Sequence, residues 1–165
     1  MVVVELITEY LVADHRRLHL ELEAAVRDAS FDPEAFSRFR AGLLRHIGIE
    51  EKLLFPAVRK LSGGLPEGAQ QLRIEHGALT SLLVPSPDPA LVAEIASLLE
   101  QHDALEESSV YAECEKVLGE TLSRELTQAA KQRSSPPLAP HFDGPGVHRT
   151  AAAALAAAQR ARRKR

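Results

Sequence analysis

His46-Ile-Gly-Ile-Glu50-Glu51-Lys-Leu-Leu-Phe55-Pro56 is the stretch on which the reading of this chain turns. A histidine and a glutamate four residues apart lie on one face of an α-helix, about 6 Å apart along its axis. The pattern returns as His102-Asp-Ala-Leu-Glu106-Glu107, with Tyr111 in register with Phe55. Each copy is preceded by an acid-histidine pair, Asp14-His15 and Glu75-His76. The leading histidines are 61 residues apart and the second ones 56. Aligning His15 with His76 also places Leu11 on Leu72 and Leu18 on Leu79. Such a repeat sets the architecture before any other feature. The unit is a helix pair, and two pairs make a four-helix bundle. Together they offer four imidazoles and two carboxylates, enough to hold two metal ions.

The rest of the chain fits an all-α domain. Apolar residues recur at helical spacing from Val4 to Ala29, and no segment sustains the alternation of a strand. Ser30-Phe-Asp-Pro33 reads as a turn and helix cap, and a second helix is expected to Leu61, kinked or ended near Pro56. Ser62 to Gly68 is a loop, Ala69 to Leu83 a third helix, and Val84 to Pro89 another break. Ala90 to Lys131 is too long for one straight helix, and Gly119 is the expected break, giving a short extra helix beyond it. Residues 1–133 are read as the bundle and 134–165 as a Pro-rich linker with an Ala/Arg-rich tail, expected to be flexible because its alanines offer little to pack.

Charge divides the same way. Residues 1–133 hold 14 Lys/Arg against 22 Asp/Glu, whereas 134–165 hold 6 against 1. The basic end is read as a solubilising tail in preference to a contact with nucleic acid or another acidic partner through residues 149–165. The first residues lack the basic and apolar regions of a signal peptide. No apolar run reaches membrane-spanning length, so no membrane partner is expected. Cys114 stands alone and cannot form an intramolecular disulfide. These features point to a cytoplasmic protein.

Mixed imidazole and carboxylate ligation without thiolate favours iron or manganese over zinc. Leucines 43, 53, 98, 99 and 105 flank the two spaced pairs, so this face meets the core, where unpartnered polar groups would be costly. Among the neighbours, His19 lies one turn after His15 and is a candidate extra ligand. Asp14 and Glu75 either stay solvated or orient a ligand histidine. Glu51 and Glu107, 100° from the paired glutamates, have orienting or surface roles. Tyr111 falls about 180° from His102 on an α-helical wheel and is assigned to packing, with a redox phenol as the alternative. His141 and His148 are not expected to be ligands.

The order His, HxxxE, His, HxxxE, with an acid before each leading histidine and the run Glu50-Glu-Lys-Leu-Leu-Phe-Pro56, resembles the hemerythrin-like (HHE) cation-binding family over roughly residues 1–120. The resemblance implies an antiparallel up-down-up-down four-helix bundle with two non-haem iron ions, oxo- or hydroxo-bridged. It further implies that His15 and His46 are terminal ligands of one iron, His76 and His102 of the other, and that Glu50 and Glu106 bridge them. Oxygen-carrying members have an extra histidine where this chain has Leu72, and a histidine followed five residues later by aspartate where it has His102 and Glu106. The site is thus symmetric, with two histidines per metal. The expectation is chemistry on a small oxidant such as hydrogen peroxide. Binding or sensing of O2, NO or iron without turnover is the alternative.

Overall fold

The computed structural model describes residues 4–164. The reading of Met1–Val3 and the last tail residue, Arg165, lie outside the described residues. The chain is all-helical: α1 (Ile7–Val26), α2 (Pro33–Ile49), α3 (Phe55–Ser62), α4 (Ala69–Leu82), α5 (Pro89–Leu105), α6 (Tyr111–Leu118), α7 (Glu120–Gln132) and α8 (Ala151–Arg163). Two π-helical turns, Glu50–Leu54 and Glu106–Val110, join α2 to α3 and α5 to α6 without a break. No helix among the described residues is long and apolar enough to cross a membrane.

Local chemistry sets the ends. The Asp32 carboxylate accepts from the Glu34 and Ala35 amides, and Pro33 opens α2. Asp88 and Pro89 repeat the device at α5, with the Leu91 amide donating to Asp88 at 2.8 Å. Gly119, at φ 73°, ends α6 and turns the chain into α7, as its position in the sequence indicates. The Ser123 hydroxyl of α7 accepts from the Ile7 amide at 2.9 Å and donates to Glu115 at 2.9 Å, which caps the start of α1.

Two apolar clusters fill the interior, one at each end. The first takes the C-terminal half of α1 (Leu18, Leu22), the N-terminal half of α2 (Phe36, Phe39, Leu43), the C-terminal half of α4 (Leu79, Leu82) and the N-terminal half of α5 (Leu91, Ile95, Leu98). The second takes the opposite halves, with Ile7, Leu11, Leu54, Leu72, Val110 and Tyr111. Consecutive long helices therefore alternate in direction. The four imidazoles come from the middle of this stack, between the two apolar layers.

Two expectations from the sequence are corrected here. The regular part of the helix does end near Pro56, but it ends at a π turn before the proline, which the sequence did not indicate. The Phe55 amide bonds to the Glu50 carbonyl in a wider loop. The second copy forms the same turn with no proline, the Tyr111 amide bonding to the Glu106 carbonyl. Proline is therefore not what makes it.

The expected flexible tail is instead an ordered helix packed on α4 and α5. Its small side chains are the reason it packs: Ala154 is 1% exposed within the first apolar cluster, and Ala158 faces Gly77. Methyl groups against a glycine allow close helix approach that longer side chains would block. The linker is fastened on the way. Arg40 donates to the Ala139 carbonyl (2.8 Å), the Phe142 amide to the Val84 carbonyl (3.0 Å) and Arg149 to Asp88 (2.7 Å). The Ala151 amide then donates to Glu94 at 2.9 Å as α8 begins. Ala154→Arg should overpack this seam and destabilise the fold by about 1–3 kcal/mol. A urea melt checks this, and an unchanged midpoint would mean that α8 adds nothing to the core.

Candidate metal centre

Six side chains, His15, His46, Glu50, His76, His102 and Glu106, meet between the apolar layers, the glutamates with no exposure at all. Their donor atoms form two groups. Glu50, His76, His102 and Glu106 bring four atoms within 4.8 Å of one another, and His15, His46 and Glu106 bring three. Glu106 belongs to both, placing one oxygen 2.8 Å from His102 Nε2 and the other 2.9 Å from His15 Nε2. Glu50 lies 3.0 Å from His76 Nε2 and 3.8 Å from His46 Nε2.

The four imidazoles are held alike. Each turns Nδ1 outward to a carboxylate: His15 to Glu107 (2.8 Å), His46 to Asp14 (2.9 Å), His76 to Glu51 (2.9 Å) and His102 to Glu75 (2.7 Å). A carboxylate accepts, so each ring donates from Nδ1 and, when neutral, presents the Nε2 lone pair inward. This is the usual way an outer carboxylate sets the tautomer and orientation of a ligating histidine. Asp14 and Glu75 therefore orient rings. They act on the second histidine of their own repeat, whereas Glu51 and Glu107 reach across to the leading histidine of the other.

Three of the four carboxylates are braced in turn. Arg17 donates to Asp14 (2.8 Å), Gln71 to Glu75 (3.1 Å) and Arg73 to Glu51 (3.1 Å). Burial works against the charge on Asp14, but His46 and, to a smaller extent, Arg17 outweigh it and lower the carboxyl below its usual range. Glu107, 44% exposed, is the least enclosed of the four.

Electrostatics favour a cation. Glu50 Oε2, His76 Nε2, His102 Nε2 and Glu106 Oε1 are all buried without a hydrogen-bond partner. Polar atoms are rarely left so inside a protein, and desolvating them unpaired is costly. Here the atoms without a hydrogen bond, whose closest ion-pair contacts are with one another at 2.8 and 3.0 Å, are the donor set of the four-residue group, so the residues present fit a metal. With only protein groups present, burial works against charge on His15 and His102. Glu106 and neighbouring carboxylates outweigh it and raise both to about 9.

Tyr111 is where the sequence misleads. It does not merely pack: its hydroxyl donates to Glu50 at 2.7 Å and lies 3.1 Å from Glu106. Its ring stacks on His15 at 5.9 Å. The π turn adds a residue between His102 and Tyr111, which changes their separation from about 180° to about 80°. The matching Phe55 stacks on His76 at 6.3 Å but has no hydroxyl to offer. Burial, reinforced by the charges of Glu50 and Glu106, pushes the phenol well above its usual range and keeps it protonated. Cys114, also buried, is pushed up to about 12 and joins neither donor group.

His19 also lies outside both groups, 35% exposed, with Nε2 at 2.7 Å from Asp103 Oδ2. Asp103 was not singled out by the sequence pattern, since nothing in its spacing distinguishes it from a solvated acid. His141 contacts the Val84 carbonyl, far along the chain from any ligand.

Residues 6–114 match the model of the Hemerythrin HHE cation binding domain. No curated protein and no solved structure gives a significant match. The matched span ends among the residues of α6 and takes in every side chain of the two donor groups. On that match and this geometry, the chain belongs to the hemerythrin HHE cation-binding family.

Proposed function

We propose that this is a dinuclear non-haem iron protein that acts on hydrogen peroxide or a related small oxidant. His15 and His46 would hold one ion, His76 and His102 the other, and Glu50 and Glu106 would bridge them. The observation that carries the dinuclear reading is Glu106, whose two oxygens stand 2.8 Å and 2.9 Å from histidines of opposite groups. Iron best suits nitrogen and oxygen donors without thiolate, and manganese or zinc could occupy the same set. When bound, such a pair supplies Lewis-acid and redox chemistry to a small oxygen ligand.

The chain's own residues support that chemistry. Tyr111 keeps a proton at its hydroxyl, hydrogen-bonded beside both glutamates. Leu72, fully buried, stands where oxygen carriers of the family place a further imidazole, leaving that side without a protein donor and dry. A surface cleft of about 450 Å³ is lined by Thr8, Val12, Arg16, Glu107 and Tyr111, and the last two contact His15.

The test is peroxide consumption by the iron-loaded protein beside His102→Ala. Turnover by the parent, reduced about 100-fold or more in the variant, is the expected result for loss of a ligand. A stable, reversible O2 complex with no peroxide consumption would replace this reading with binding or sensing.

A further inference from the structure

Asp103 follows His102 directly, yet it serves the other half of the site. The residue is 6% exposed. Its Oδ2 is 2.7 Å from His19 Nε2, whereas Oδ1 is buried with no hydrogen-bond partner and stands 3.6 Å from His15 Nε2. That nitrogen is also 2.9 Å from Glu106 Oε2 and 3.2 Å from His46 Nε2.

No neighbour in this group supplies a proton to Oδ1. His15 and His46 direct Nδ1 to Glu107 and Asp14, and Glu106 offers only acceptor oxygens. The nearest nitrogen, His15 Nε2, lies closer to Glu106 Oε2 (2.9 Å) than to Oδ1 (3.6 Å), so Oδ1 is left with a long ion pair and no hydrogen bond. A simple ion pair with His19 would be satisfied by Oδ2 alone and gives no reason to bury Oδ1 at this point. A cation held with His15 gives one: donor atoms of one ion, each about 2.0–2.2 Å from it, lie a few ångströms apart, as Oδ1 and His15 Nε2 do at 3.6 Å. Asp103 stands just outside the tighter group of His15, His46 and Glu106.

The repeat points the same way. At the 56-residue offset Asp103 corresponds to Ile47, and at the 61-residue offset His19 corresponds to Thr80. A carboxylate and its supporting imidazole are therefore added to one half only. That half is the one whose donor group has three residues where the other has four.

We propose that Asp103 is a further protein ligand of the metal position formed by His15, His46 and Glu106, with His19 as its positioning residue. This rests on the dinuclear reading. With Glu50 and Glu106 bridging, the His76 and His102 position has four protein donors and the His15 and His46 position five, and the two differ in kind. One shares two glutamates with two histidines. The other has a terminal aspartate, steered by an imidazole that reaches the surface.

The experiment titrates metal-free wild type, Asp103→Asn and His19→Gln with Co(II) alone, following the visible bands and competition with a chelator. Wild type should bind two ions. Asp103→Asn should keep one ion at wild-type affinity and hold the other at least about 100-fold more weakly. His19→Gln should weaken that same ion about 10-fold, the effect typical of an outer partner. Asparagine is nearly isosteric, and His19 lies at a third-exposed position, so the second variant carries the test even if the first fails to fold. Two ions at unchanged affinity in both variants would overturn the assignment and leave Asp103 and His19 as a plain ion pair. Fewer than two ions in wild type would instead overturn the dinuclear reading, and wild type alone reports that.

Discussion

Glu106→Ala is expected to abolish binding at both metal positions, the largest effect of any single substitution in this chain. Its oxygens stand 2.8 Å from His102 Nε2 and 2.9 Å from His15 Nε2, and it is the residue common to both donor groups. Removing it leaves Glu50 as the sole carboxylate between the two histidine pairs, close to His76 at 3.0 Å but not to His46. Glu50→Ala should be milder toward the His46 side, because Glu50 approaches that ring only to 3.8 Å. His15→Ala, which touches one group, should weaken a single ion. Outer-partner losses already reduce metal affinity about 10–100-fold, so loss of a bridging ligand should exceed that at each position. Metal analysis after iron loading reads the result: near zero per chain for Glu106→Ala and near one for His15→Ala. Two ions retained by Glu106→Ala would mean that the glutamate does not bridge.

The cluster of four histidines and two glutamates was legible because its information is local. An i, i+4 pair on one helix face needs no knowledge of the fold, and its repetition with an acid before each leading histidine shows the helix-pair unit. The cap at Asp32-Pro33 and the breaks at Val84 to Pro89 and at Gly119 were legible for the same reason. Tyr111 was not, because a wheel drawn at 100° per residue has no place for a π turn. The one extra residue per turn moves everything beyond Glu106 by a full step. The register of Glu50 and Phe55 with Glu106 and Tyr111 was visible, but equal spacing in two copies does not distinguish a π turn from an α turn.

Asp103 was hidden by a different cause. Its significance depends on His19 and His15 from α1, contacts that exist only once the helices pack. The last helix failed for a third reason. A run of alanines has no contrast between faces, so periodicity cannot show that Ala154 is buried while its neighbours Ala152 and Ala153 remain exposed. What docks it is Gly77 on α4 and the fastening of Arg149 to Asp88, both remote in sequence.

Removing metal should lower stability, and the loss should grow as pH rises. In the metal-free protein His15 and His102 are raised from 6.5 to about 9, chiefly because Glu106 overrides the opposing effect of burial. A group whose folded pKa exceeds its unfolded value contributes stability fully present below about 6.5. That contribution disappears as pH climbs through about 9. Protons thus stand in for metal at low pH, and nothing does at high pH. Metal binding runs the other way, since it needs neutral imidazoles and must displace those protons. The loaded protein should therefore hold its stability at pH 9 while the metal-free form loses its own. At metal concentrations 1,000 times Kd, each site adds about 4 kcal/mol. For a chain of this size about 1 kcal/mol moves the melting temperature by about 2–4 °C, so chelation should lower it by roughly 8–16 °C per site near neutral pH. Thermal melts with and without chelator at pH 6, 7.5 and 9 test both claims. A gap that narrows with rising pH would show that protonated histidines do not hold the metal-free site together. The absence of any gap would show that the buried donors are satisfied without a metal.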